Sequence, residues 1–322
     1  MVQANEHFSP AHQLLLTQFR EPRAVTPSGY HSGHTADEWH AALCEPMSAA
    51  ISAFVSKGLL LQASTDEKLV LVLKVLELKE NLRQLGQPVS GKKADLATRL
   101  TESAPSLAVS IAKDLNVFKT TDPGNQLVAD FLAASQTSRM MMEKALIDLI
   151  AHGQFRNAVT TMASFEASQV VPRGINVDWT HYDPKPDERI LQLIFSRLPQ
   201  AAADVSAHFL PTCRVGAAML HLIWNVGQVT SWLSSHIPGE NEDRLYKIAS
   251  DLCSHALFLN EIDSLKRLGL HRVAIRTCND QLVCASCREL AEKNYDTKDP
   301  PKIPNPNCSS TVCRCWICGD WS

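Results

Sequence analysis

Residues 73–100, LKVLELKENLRQLGQPVSGKKADLATRL, leave the chain few local choices. Leu78, Leu82 and Leu85 recur at intervals of four and three, which places them on one face of a helix. Gly86 supplies the left-handed residue that can end it. Pro88 stiffens the link over 87–89, and Ser90 stands where an N-cap hydroxyl is wanted. Gly91, Lys92 and Lys93 then open a second helix lined by Leu96 and Leu100. Two helices this short bury few side chains, so the pair is expected to lean on the apolar runs 59–61 and 70–73.

Charge matters here because the whole chain carries a formal net charge of −3, so no global field attracts a polyanion and any such contact must be local. Within the segment Lys74, Lys79, Arg83, Lys92, Lys93 and Arg99 outnumber Glu77, Glu80, Asp95 and Glu102. Lys92 and Lys93 sit where the first turn of a helix exposes free N–H groups, a natural phosphate position.

The segment resembles the SAP domain family. The resemblance rests on Val75, Glu77-Leu78-Lys79, Leu82, Leu85, Gly86, Pro88, Ser90-Gly91-Lys92-Lys93, Leu96 and Arg99-Leu100, over residues 72–104. It implies a helix–extended turn–helix fold that binds duplex DNA, and sometimes RNA, with modest sequence preference and no catalysis. The candidate contacts are Lys79, Arg83, Ser90, Gly91, Lys92, Lys93 and Arg99. The competing reading is a solvated helix end, with the pair packed against its own protein or a protein partner.

Elsewhere the apolar spacing is mostly helical, so the expected class is mainly α. Residues 1–34, with Pro10, Pro22, Pro27, Gly29 and Gly33, read as an irregular arm. Residues 35–71 read as a helical lead-in: Thr35 and Glu38 form a capping-box pair, and Trp39, Ala42, Met47, Ile51, Phe54 and Val55 continue a helical pattern to Gly58. A helical domain is expected over 105–269, interrupted by a proline-rich loop at 170–186. The apolar stretch 215–233 contains His221, Asn225, Gln228, Thr230 and Ser231, which favours a buried core helix over a membrane span. The first residues, MVQANEHFSP, show no secretion pattern, and the expected compartment is cytoplasmic.

Residues 270–322 form a cysteine-rich tail with a short β run at 273–277. Of ten cysteines, Cys278, Cys284, Cys287, Cys308, Cys313, Cys315 and Cys318 all fall here. Cys284-Ala-Ser-Cys287 and Cys315-Trp-Ile-Cys318 are C-x-x-C units, a spacing that on a turn aims two thiolates at one tetrahedral zinc. The long separation of the units, with Cys308 and Cys313 between them, leaves the ligand set open among Cys284, Cys287, Cys308, Cys313, Cys315 and Cys318. A redox C-x-x-C and free thiols are the alternatives, the former without a βαβ context. The tail, through CASCRELAEK, PPKIPNPNC and CRC, also resembles the C-terminal end of phage head-morphogenesis, or minor head, proteins. That resemblance implies Cys284, Cys287, Cys308 and either Cys313 or Cys315 as ligands; Asn305 and Pro306 stand where the family has a histidine. All-thiolate zinc leaves no open position, so a structural ion is expected.

Other polar groups read as bland. His31, His34 and His40 suit a surface, His221 a satisfied core position, and the run Met140-Met141-Met142 helix surface and core. Asp178, Asp183, Asp187 and Glu188 read as a solvated loop rather than a hidden nuclease centre. No nucleophile elbow, phosphate-cradling glycine loop, zincin helix or kinase set is present. The expected function is non-enzymatic DNA binding, with a possible protein partner on the helical domain or tail. The alternatives are a prophage-derived assembly protein and a DNA-acting enzyme with an unrecognised site in 105–269.

Overall fold

The computed structural model describes residues 8–25, 36–174, 177–223, 242–278, 280–291, 293–310 and 312–320. The fold is mainly helical with short strands. It divides into two compact units, Met1–Ser138 and Arg139–Ser322.

In the first unit, helix α1 (Pro10–Thr17) is followed by strand β1 (Arg23–Ala24), so the stretch expected as an irregular arm carries regular structure. Pro10 starts α1 rather than breaking it, because a first-turn residue has no intrahelical N–H bond to lose. Leu15, Leu16 and Phe19 are fully buried. The lead-in splits into α2 (Ala36–Leu43) and α3 (Met47–Ser56), parted by Cys44 at φ 57° and by Pro46. Thr35 of the expected capping pair lies outside the described residues, as do His31 and His34.

Strands β2 (Leu60–Gln62) and β3 (Val117–Thr120) complete an antiparallel sheet in the order β1-β3-β2. Helix α8 (Asp122–Ala151) starts against this sheet. A Cβ on Gly124 would lie 2.1 Å from the Leu59 carbonyl oxygen, so only glycine allows that approach.

Helices α4 (Thr65–Val72), α5 (Val75–Gln84), α6 (Lys93–Ser103) and α7 (Pro105–Ala112) enclose a small core of Leu69, Leu78, Leu82, Leu96, Ala97, Leu100 and Ala108. Val70 and Leu73 pack against it as expected. The 59–61 run does not: Leu60 is buried in strand β2, and the second support is α7. The helical stretch expected as one domain over 105–269 is accordingly divided. Ala108 belongs to the α4–α7 core and Val117 to the first sheet, which hold residues 105–138 in the first unit.

The second unit gathers α9 (Phe155–Ala167), α10 (Lys185–Ser196), α11 (Leu210–Ile223) and α12 (Glu242–Arg267) around Leu146, Ile150, Val159, Leu191, Ala218 and Leu252. The described part of the 215–233 stretch is the end of α11, with Ala217, Ala218, Met219 and Leu222 buried. No helix among the described residues is long and apolar enough to cross a membrane.

Two polar clusters sit inside this core. The Arg173 side chain donates to Glu166 Oε1 at 2.5 Å and to the Ile223 carbonyl. Tyr182 Oη donates to Asp187 Oδ2 (2.5 Å), and His221 Nε2 meets Asp187 Oδ1 (2.9 Å). Asp187 is therefore no solvated loop residue: it lies in the first turn of α10, and burial, which alone would raise it, is outweighed by the His221 and Tyr182 hydrogen bonds that lower its carboxyl. Asp178, by contrast, stays exposed beside His181.

Strand β4 (Arg272–Thr277), helix α13 (Ala285–Ala291) and strands β5 (Asn294–Asp296) and β6 (Cys315–Gly319) make an antiparallel sheet of order β5-β4-β6 with one covering helix. Its core, with Val273, Ile275, Val283, Ile303 and Ile317, is shared with Phe258, Ile262 and Leu265 of α12, so the tail is not a separate third unit.

Candidate functional site

Cys284 immediately precedes α13 and Cys287 lies in its first turn, which turns both thiols toward one side. The Cys284 and Cys308 sulfurs are 3.8 Å apart. That equals the edge of a tetrahedron with metal–sulfur bonds of about 2.3 Å, roughly 3.8 Å. The sulfurs of Cys284, Cys287 and Cys308 all lie within 4.8 Å of one another, and so do those of Cys287, Cys313 and Cys315. The cluster is compatible with a metal site.

Cys318 is not brought into it. Positions 315 and 318 are three apart on a strand, so their side chains leave opposite faces, and the Cys318 thiol donates to the Ala274 carbonyl (3.6 Å). The second C-x-x-C is thus not a metal knuckle, because pairing with β4 extends it. From this segment the pair that could hold an ion is Cys313 and Cys315, two apart and both buried. Cys278 is exposed and outside the cluster. Cys213 and Cys253 are buried in the helical core, and burial pushes the Cys253 thiol up to about 12.

The electrostatics suit metal donors. Burial alone would raise Cys284, but the Ser286 hydroxyl and the N–H groups of Ser309 and Cys287 hold its thiol down at about 6. A hydrogen bond from Cys315 is the main cause that lowers Cys313 to about 5, against the effect of burial. Cys287 and Cys308 are raised by burial, and Cys315 chiefly by its bond to Cys313. Two sulfurs are therefore ready thiolates, and the others would release protons to an incoming cation.

Two residues that spacing did not single out orient these sulfurs. Ser286 Oγ lies 3.2 Å from Cys284 Sγ and donates to the Asn307 carbonyl at 2.9 Å. Asn305, buried, directs its amide toward Cys287 Sγ (3.7 Å) and accepts from Asn307 N–H (3.0 Å).

In the first unit, α4, α5 and α6 open alike. The backbone N–H groups of Ser64, Lys74 and Lys92 donate to the carboxylates of Glu67 (2.9 Å), Glu77 (2.6 Å) and Asp95 (2.9 Å). The N-cap of α6 is therefore Lys92 and not Ser90, because Gly91 at φ +124° delays the helix and Asp95 supplies the carboxylate acceptor. Gly86, at φ +65°, ends α5 as expected, while Leu85 at the cap is 38% exposed. Arg99 is no free contact: its Nη1 donates to the carbonyls of Pro88 (2.6 Å) and Ser90 (3.0 Å) and clamps the turn.

Among the described residues, the side chains of Lys74, Lys79, Arg83, Lys92 and Lys93 have no ion pair. Lys92 and Arg83 are exposed and Lys79 and Lys93 half-buried. No protein-family model matches the chain, and neither characterised proteins nor solved structures give a significant match.

Proposed function

We propose that this chain is a non-enzymatic DNA-binding protein whose α5–turn–α6 face contacts the duplex backbone and whose tail is held by a structural zinc centre. The observation that supports the contact is a turn clamped by Arg99 that sets Lys92 and Lys93 at a helix start, where among the described residues neither ammonium group has an ion pair, although the Asp95 carboxylate accepts the Lys92 backbone N–H. Backbone contact by point charges gives affinity without sequence reading. Zinc is the ion that buried thiolates at this spacing fit best, and an ion so enclosed shapes the tail rather than reacting.

The test is fluorescence anisotropy with labelled duplexes over a salt series. Replacing Lys92 and Lys93 together by alanine is expected to weaken all sequences alike and to reduce the slope of log affinity against log salt by about two. Unchanged affinity in the double variant would remove the reading.

A further inference from the structure

One tetrahedral ion held by sulfur alone needs four sulfurs that are mutually about 3.8 Å apart. The tail instead holds two triads, Cys284/Cys287/Cys308 and Cys287/Cys313/Cys315, and among the described residues no four thiols lie within 4.8 Å of one another. Cys287 is common to both triads, and it is 1% exposed between them. A thiolate sulfur keeps lone pairs enough to bind two cations at once. An ion seated in the outer triad alone would leave Cys313 and Cys315, both buried beside Cys287, without a metal.

From this geometry we infer that the tail binds two thiophilic cations of the zinc type, bridged by the Cys287 sulfur, one on each triad. The inference rests on the metal reading above and changes its stoichiometry. The outer triad has half-buried Cys284 and Cys308, so solvent can complete that ion. The inner triad is fully buried.

The experiment is a titration of the full-length metal-free protein, kept reduced, with cobalt(II) alone. It is followed by native mass spectrometry and by electron paramagnetic resonance. The expected result is saturation at two ions per chain. The high-spin cobalt signal should rise over the first equivalent and fall over the second, as the bridging sulfur couples the two spins. Cys313→Ser and Cys284→Ser should each stop at one ion, with the signal no longer quenched. Saturation of the unaltered chain at one ion, with a signal that grows to the endpoint, overturns the pair while leaving the single-site reading intact. Failure to retain any ion overturns both.

Discussion

The α5–α6 helix pair and the cysteine tail are held by different forces. The pair closes over leucines: Leu69, Leu78, Leu82, Leu96 and Leu100 are fully buried, and the flanking helices α4 and α7 complete the enclosure. The tail has Val273, Ile275, Val283, Ile303 and Ile317, but Cys287, Cys313 and Cys315 share the inner positions with them. On the metal reading proposed above, the short sheet with sulfur in its core gains cohesion from a ligand, whereas the helix pair with two apolar supports rests on buried area.

Chelation should break the comparison most visibly. Stripping metal at neutral pH removes apparent binding energy on the order of 10 kcal/mol from the tail. Hydrogen exchange read by mass spectrometry should then show β6 losing protection while α5 and α6 keep theirs. Equal loss in both regions would mean the pair also depends on the metal.

Acidification is the milder form of the same experiment. Cys284 is held at about 6 and Cys313 at about 5, both below the ordinary thiol value, so the stability that their thiolates contribute is present at high pH and disappears as pH falls through those values. In the metal-free protein, opening of β6 is expected between pH 6 and 5, with helicity of the first unit retained; hydrogen exchange across that range checks it.

Within the helix pair the contrast is between a buried and an exposed leucine. Leu82→Ala should cost about 2–5 kcal/mol, because its side chain is fully enclosed, measured by denaturant unfolding. Leu85→Ala, at a position 38% exposed, should cost less than about 1 kcal/mol. Similar losses for the two would mean that α5 does not use the face described.

Much of this was legible in the linear chain. Gly86 at a left-handed φ, Leu78 and Leu82 inward, and a metal-compatible thiol cluster in the tail all follow from spacing and residue type. Ser90 was misleading as a cap because a serine two residues before a helix looks like one at its start. Only the placement of Asp95 and the φ of Gly91 decide which. Pro10 was misleading in the same way, since a proline signals a break or a beginning according to the conformation of the residues after it.

The sequence by itself determined the helical class, the two-helix grammar with its free lysines, and which short region carries the thiols, since these depend on local periodicity and local chemistry. The tertiary structure decided which thiols meet. Pairing of β6 with β4 extends the second C-x-x-C, sends Cys318 to the far face and turns Cys315 toward Cys287 and Cys313. That outcome depends on strand register, which is fixed by partners distant in the chain and not by the spacing of the two cysteines.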